Sequence, residues 1–373
     1  MGKKYDYVIV GAGLFGSVFA QQVREQGKNC IIIERREHNG GNCYTENIEG
    51  IQVHRYGPHI FHTSDDGIWE YVNRFAKFNN FINKPKIRYE DKMYSFPINL
   101  MTLHQIYGVK TPQEAKEKIQ EVRADIKNPK NLEDWILSQV GPEIYKIFIK
   151  GYTTKQWGRD PKDLPSSIIR RLPIRFTFDE NYFFDTYQGI PIGGYTKMIE
   201  NIQGDVPVKF GVDFLKEREY WEGIGDKIVF TGPIDEFFGY SEGTLEYRSL
   251  DFETEVLDTD DYQGNAIVNY TESEIPWTRT CEHKHFDWIK SGSTVVTKEF
   301  PAEWKPGKER FYPIGDEKNK SMYSKYKKLT EVISDKYIFG GRLAEYKYYD
   351  MHHVIGSALA RSRKELNHTG KDI

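Results

Sequence analysis

Residues 5–16, YDYVIVGAGLFG, decide the fold. Tyr5 to Val10 is a short apolar, β-branched run of the kind that forms a buried strand, and it leads directly into Gly11, Gly13 and Gly16, a GxGxxG turn. Helical spacing follows from Phe15 to Glu25 and stops at Gly27, and Asn29 to Glu34 reads as a second strand. Strand, glycine turn, helix and strand make the βαβ unit of a Rossmann-like nucleotide domain. The first glycine allows the tight turn, the second lets a diphosphate approach the backbone, and the third lets helix and strand pack closely, with the helix N-terminus facing the phosphates. Glu34 ends the second strand, where a carboxylate accepts from ribose hydroxyls, and an acid there disfavours a 2′-phosphate; FAD or NAD is expected rather than NADP. A second glycine pair, Gly40-Gly41 before Asn42, and a third, Gly340-Gly341 before Arg342, offer more backbone without side chains to a long extended cofactor, which favours FAD.

Working outward, Thr102 to Tyr152 turns to Gln, Glu, Lys and Leu at helical spacing, with Thr111-Pro112 as one helix start and Leu132 to Val140 as another helix. From Phe176 to Pro313 short alternating runs predict a largely antiparallel sheet, including Lys227 to Phe230, Ala266 to Tyr270 and Thr294 to Thr297. Ile338 to Arg342 reads as a last strand of the nucleotide domain, followed by a closing helix from Met351 to Leu366. The expected architecture is α/β: a discontinuous FAD-binding domain of residues 1–78, 193–232 and 314–373, a helical domain of 100–175 with a mobile lid near 166–176, and an antiparallel-sheet substrate domain of 79–99, 176–192 and 233–313.

At 373 residues the chain is too long for one ordinary core, and a formal charge of −3 argues against a nucleic-acid or anionic-membrane footprint. Aromatic residues make up 14%, a supply suited to stacking on flat rings and sugars. Cys30, Cys43 and Cys281 are too few and too dispersed for a disulfide framework or a zinc knuckle, which fits a reducing cytoplasm. No stretch approaches the roughly 20 apolar residues of a membrane span. The pairs His59 and His62, and His283 and His285, have ligand-like spacing, but apart from Cys281 near His283 no carboxylate or cysteine set completes a metal site, and no metal is expected. GxSxG, P-loop and HExxH motifs are absent, which removes serine hydrolases, Walker NTPases and zincins.

ERREHNGGN at 34–42, YGPHIFHT at 56–63, IKGYTTKQWG at 149–158, RRLPIRF at 170–176, GIPIGGYTKMIE at 189–200, PWTRTCEHKHF at 276–286 and FGGRLAEYKYYDMH at 339–352 closely resemble the bacterial UDP-galactopyranose mutases, colinearly along the chain. It departs at Pro58, where the family's more usual residue is Ala. The resemblance implies an intramolecular transferase that interconverts UDP-galactopyranose and UDP-galactofuranose through a covalent flavin N5–sugar adduct on reduced FAD, without net redox change. It also implies an external reductant, NAD(P)H or a reductase, and a homodimer.

Residue by residue, the resemblance assigns the diphosphate to Arg171 and Arg279, whose permanent charge and forked donors suit it. It assigns flavin-side support to His59 and Arg342, and the uridine and sugar to Phe148, Tyr152, Thr153, Trp157, Tyr182, Asn269, Tyr312 and Tyr348. On a regular helix Phe148, Tyr152 and Trp157 could share a face, though three aromatics at that spacing equally describe a packed helix. Cofactor contacts are expected at Gly11, Gly13, Phe15, Gly16, Glu34, Arg35, Gly41, Asn42, His59, Ile60, Arg342, Tyr348, Asp350 and Met351. Arg170 and Arg175 are read as solvated or structural. Two rivals remain from the residues alone: a flavin oxidoreductase of amine-oxidase-like fold, and an FAD-containing binding protein without turnover.

Overall fold

The computed structural model describes residues 4–169 and 172–366. Arg170 and Arg171, and with them part of the expected lid, lie outside the described residues. The chain forms two compact units, one of residues 1–80, 185–247 and 310–373, the other of residues 81–184 and 248–309.

The first unit is built on a five-stranded parallel sheet. β1 (Tyr5–Val10) lies between β2 (Cys30–Ile33) and the strand Gly225–Phe230; Val208–Lys209 extends the sheet beyond β2, and Tyr337–Phe339 extends it beyond Gly225–Phe230. Parallel strands covered on both faces need apolar residues at consecutive positions, and Val8, Ile9, Ile32, Ile33, Ile228 and Val229 are all fully buried. Helix α1 (Leu14–Glu25) begins directly after the glycine turn and packs against the closing helix Met351–Glu365 and the helix Gly194–Gln203. The last strand ends at Phe339, short of the expected Arg342. Gly340 and Gly341 lie beyond it, against Phe15: a Cβ on Gly340 would sit 2.0 Å from the Phe15 ring, so the backbone can pass there only without a side chain.

The second unit joins an antiparallel-rich sheet to a helical cluster. Its strands run in the order Tyr247–Leu257, Thr294–Glu303, β4 (Arg279–Glu282), β3 (Ile267–Tyr270), Lys86–Tyr89 and Lys92–Ser95, with one parallel pairing, β3 to Lys86–Tyr89. Ile87, Tyr94 and Phe96, from and beside the edge strands, share one apolar cluster with Leu103, Leu132, Ile136, Val140 and Ile144 from the helices. This common core puts the helical run and the antiparallel strands, read as separate domains from the sequence, into one unit. Thr111 caps its helix through Glu114 N–H, with Pro112 in the first turn, as the sequence indicates. The helix from Leu132 runs to Ile144 across a break at Gly141, whose φ is +81°, and a wider π-type turn, Tyr145–Lys150, leads into α2 (Gly151–Trp157).

Candidate functional site

In the first unit, Gly11 takes φ +110°, and its N–H bonds Ile33 O at 2.8 Å, closing the turn between β1 and α1. A Cβ on Gly16 would come within 2.1 Å of Gly11 O, which is why helix and turn can pack so closely. Gly13 caps α1 with no side-chain oxygen, so the open N-terminus of a twelve-residue helix is available to an anion. Glu34 is buried and bridges the loops: its two oxygens accept from Ala12 N–H at 2.8 Å and Arg36 N–H at 2.9 Å. Gly41 approaches from the other side, since a Cβ on it would lie 3.2 Å from Gly13 Cα, and Gly40 N–H holds Ala12 O at 3.0 Å. Asn42 accepts from Arg36 at 2.8 Å, and Arg36 lies over the Tyr56 ring. Arg35 is half-exposed, 3.7 Å from Glu236. This cradle of bare backbone beside a carboxylate fits a dinucleotide.

His59 N–H donates to His54 Nδ1 at 3.0 Å, and its own Nδ1 donates to Gly57 O at 2.8 Å, since a carbonyl can only accept. Burial, with a contribution from the Arg342 charge, lowers His59 to about 4, so the ring is neutral at pH 7 with Nε2 as an acceptor. Ile60 is buried. Arg342 donates to Phe311 O at 3.2 Å and to Tyr349 O, and lies 5.5 Å from the Tyr348 ring centroid. Tyr348 stacks on Tyr312, centroids 5.5 Å apart. Asp350 precedes the closing helix without capping it, and Met351 is that helix's first residue. Phe15 faces Gly340 and Gly341 and stacks on Phe19. His62 bonds Asp185 at 2.6 Å, and burial of that carboxyl is outweighed by the His62 and Ser64 hydrogen bonds, which hold it below its usual range.

In the second unit one row of the sheet gathers polar side chains. Asn269, Arg279 and Glu299 are register partners across three adjacent strands, so their side chains share a face. Arg279 Nε donates to Asn269 Oδ1 at 3.2 Å, Nη2 to the Tyr152 hydroxyl at 3.0 Å, and Nη1 lies 3.6 Å from Glu299 Oε2. Glu299 is buried, which raises its pKa, while the Arg279 charge pulls it back. Burial also raises Tyr152, opposed by Arg279 and assisted by Glu299 and Tyr182; the phenol stays protonated. The result is a guanidinium fixed on three sides and 22% exposed, a geometry suited to a phosphate or carboxylate.

Thr153 is buried on the same helix, and Trp157 packs partly buried against the helical core. Tyr182 N–H is held by Asn83 O at 2.8 Å, and its ring lies 6.0 Å from Phe96. Phe148 is not brought to this row; it is buried between Tyr94 and Phe96. Arg175 is buried rather than solvated, holding Asp179 O and Asn181 O with its guanidinium over Phe184. Glu299, Asp185 and Lys155 are absent from the sequence-derived set. A carboxylate inside the alternating run 294–300 is the signal for Glu299, whereas Asp185 and Lys155 have none, because their partners lie far away in sequence. His283 and His285 do not converge: His283 bonds Thr297 at 2.8 Å, and His285 lies near Glu282 and Asp261, whose grouping is the kind that could hold a cation. Glu282 there is already bonded by Tyr262 N–H, Gln263 N–H and Thr294. Among the described residues, no helix is long and apolar enough to cross a membrane.

A NAD(P)-binding Rossmann-like domain model matches residues 9–75, and the UDP-galactopyranose mutase family model matches residues 147–348, more than half of the chain. A probable UDP-galactopyranose mutase of Klebsiella pneumoniae is 41% identical over 369 residues, 96% of this chain and 94% of that protein. A dTDP-fucopyranose mutase of Escherichia coli is 37% identical over 363 residues, 94% of this chain and 96% of that one. A crystal structure of reduced UDP-galactopyranose mutase shares the fold, with a TM-score of 0.74 at 16% identity over 99% of this chain and 97% of the other. With the glycine cradle and the Asn269–Arg279–Glu299 row each on a stretch matched at this level, the chain belongs to the UDP-galactopyranose mutase family.

Proposed function

We propose that the protein interconverts UDP-galactopyranose and UDP-galactofuranose on reduced FAD, with no net redox change. Family membership makes it an isomerase and implies a flavin; the substrate pair and the cofactor's state are the further step. The observation that carries the reading is Arg279, held by Asn269, Tyr152 and Glu299 and still 22% exposed. A diphosphate that leaves the sugar and then returns needs a fixed cation with directional donors, and charge-assisted hydrogen bonds of this kind contribute about 1.5–3 kcal/mol each. Arg171 is the second diphosphate arginine in this reading, and Thr153, Trp157 and Tyr182 help to recognise the rest of the nucleotide.

The cofactor side rests on Gly11, Gly13, Gly16, Glu34, Arg35, Gly41 and Asn42, with Ile60, Asp350 and Met351 completing the set. Reduced FAD supplies, when bound, a nucleophilic N5 for a transient bond to the anomeric carbon. His59 stays neutral and offers only an acceptor, and Arg342 holds two carbonyls while keeping positive charge nearby. In this reading no dedicated side-chain base is assigned. Reduction comes from outside, from NAD(P)H or a reductase, and the working assembly is a homodimer.

The test is to reduce the purified holoenzyme with dithionite and follow UDP-galactofuranose to UDP-galactopyranose by chromatography. Conversion without oxygen consumption is expected, and steady oxygen consumption would favour the oxidoreductase reading instead. The 37% identical relative named dTDP-fucopyranose mutase makes a dTDP-6-deoxyhexose the second candidate substrate. Assaying dTDP-fucopyranose alongside decides between them, and the larger kcat/KM identifies the natural pair.

A further inference from the structure

Lys155 sits three residues beyond Tyr152 on α2, on the same helix face. Its ammonium donates to Tyr270 O, Ile275 O and Trp277 O at 2.8, 2.9 and 3.0 Å, so three protons meet three acceptors. All three carbonyls belong to the turn between β3 and β4: Tyr270 ends β3, and Trp277 stands two residues before Arg279. The same turn touches the start of α2, where a Cβ on Gly151 would fall 2.1 Å from Thr271 O. The other end of α2 is fixed by Arg248, which donates to Gln156 O at 2.8 Å and Lys155 O at 3.4 Å. A cation at a helix C-terminus is favourable there. Burial lowers Lys155 to about 8, against the pull of Glu272 and Glu274, so it remains charged at neutral pH.

Placing a charged ammonium on backbone carbonyls in a largely buried setting costs desolvation that an apolar side chain avoids. What the ammonium provides instead is register, since three directional bonds admit one position of the turn relative to α2. The helix therefore meets the hairpin twice on one face, through Lys155 on the turn and through Tyr152 on Arg279.

We infer that Lys155 is a positioning residue for Arg279: by fastening the β3–β4 turn to α2 it sets where the Tyr152 hydroxyl and the guanidinium meet, and so aims the fork at a nucleoside diphosphate. This rests on the assignment of Arg279 to the diphosphate.

A double-mutant cycle on UDP binding to the FAD-loaded protein tests it. Lys155→Met is expected to weaken UDP binding about tenfold, the loss of roughly one charge-assisted bond's orientation. Arg279→Lys keeps a cation beside Glu299 but lacks the rigid fork, so it is insensitive to aim. In that background Lys155→Met should change UDP affinity by less than about twofold. Lys155→Arg, which keeps the charge but not a tetrahedral donor, should show a smaller loss that also vanishes with Arg279→Lys, and it serves should the Met variant not fold. A Lys155 effect of equal size in both backgrounds overturns the inference alone, as does an undiminished affinity in Lys155→Met. UDP binding that ignores Arg279→Lys removes the diphosphate assignment and the inference together.

Discussion

Arg279 and Glu299 face each other in a row where neither has much water, so removing one changes the chemistry of the other. Truncating one partner of a buried charge pair costs about 3–5 kcal/mol because the survivor is left uncompensated. In Arg279→Ala the Glu299 carboxyl, already raised by burial, loses the charge that restrains it and rises further. A carboxyl with a raised folded pKa adds stability below its unfolded value and loses it as pH climbs through the folded value. The stability deficit of Arg279→Ala relative to wild type should therefore be largest at pH 8 and shrink toward pH 5, measured by chemical denaturation. A deficit that does not vary with pH would mean Glu299 is not charged in the native protein. His59 gives a second reading at this scale: lowered to about 4 from 6.5, it contributes stability that is present above about 6.5 and lost as pH falls toward 4. Nitrogen NMR at pH 6 should find a neutral ring protonated at Nδ1, where an exposed histidine would be largely charged; an imidazolium signal contradicts the Gly57 geometry. Of these residues, Arg279 and His59 are legible in the sequence because motifs surround them. Glu299 escapes because its meaning comes from a strand partner that only the register supplies.

Elements were readable where local rules govern them. The GxGxxG turn falls between β1 and α1, Thr111 and Pro112 start their helix, and the closing helix begins at Met351, because glycine dihedrals, capping and proline geometry act within a few residues. Phe148 shows where such rules end. Phe148 and Tyr152 are four apart and would share a face of a regular helix, but the π-type turn over Tyr145–Lys150 shifts the register and turns Phe148 into the apolar core. Nothing in the local composition announces an i→i+5 turn. The glycine cradle allows a test at this scale that separates folding from binding. A methyl on Gly16 would strike Gly11 O at 2.1 Å, so Gly16→Ala should lower the thermal midpoint as well as lose flavin. A methyl on Gly13 meets nothing nearer than Gly41 Cα at 3.8 Å, an ordinary contact. Gly13→Ala should then fold with a wild-type melting profile in the apoprotein yet bind FAD at least about tenfold more weakly, as expected where a diphosphate passes the backbone. Full flavin retention in Gly13→Ala would move the phosphates elsewhere.

At the scale of the whole chain, the first unit collects β1 and β2, Gly225–Phe230, and Tyr337–Phe339 from three stretches each more than a hundred residues from the next. Lys227 to Phe230, read from the sequence with the antiparallel runs, instead pairs in parallel with β1 and Tyr337–Phe339, because the alternation of so short a run does not reveal the direction of its partners. The border between helices and antiparallel strands is not recognisable either, because composition changes there while packing does not: Ile87, Tyr94 and Phe96 share the core of Leu132, Ile136 and Ile144. In the proposed reading the two ligands fall on different parts of the sequence, and hydrogen exchange can read each separately. A ligand that binds only the native state stabilises it by about 2.7 kcal/mol at a hundred times its Kd, and exchange slows first at the amides it orders. FAD added to the apoprotein should slow exchange across residues 9–16, 33–42 and 339–351. UDP added to the FAD-loaded protein should slow it across α2 and the β3–β4 hairpin, residues 151–157 and 267–282. Protection by UDP that appears only around the glycine turn would place the nucleotide on the Rossmann cradle and leave the Asn269–Arg279–Glu299 row without its ligand.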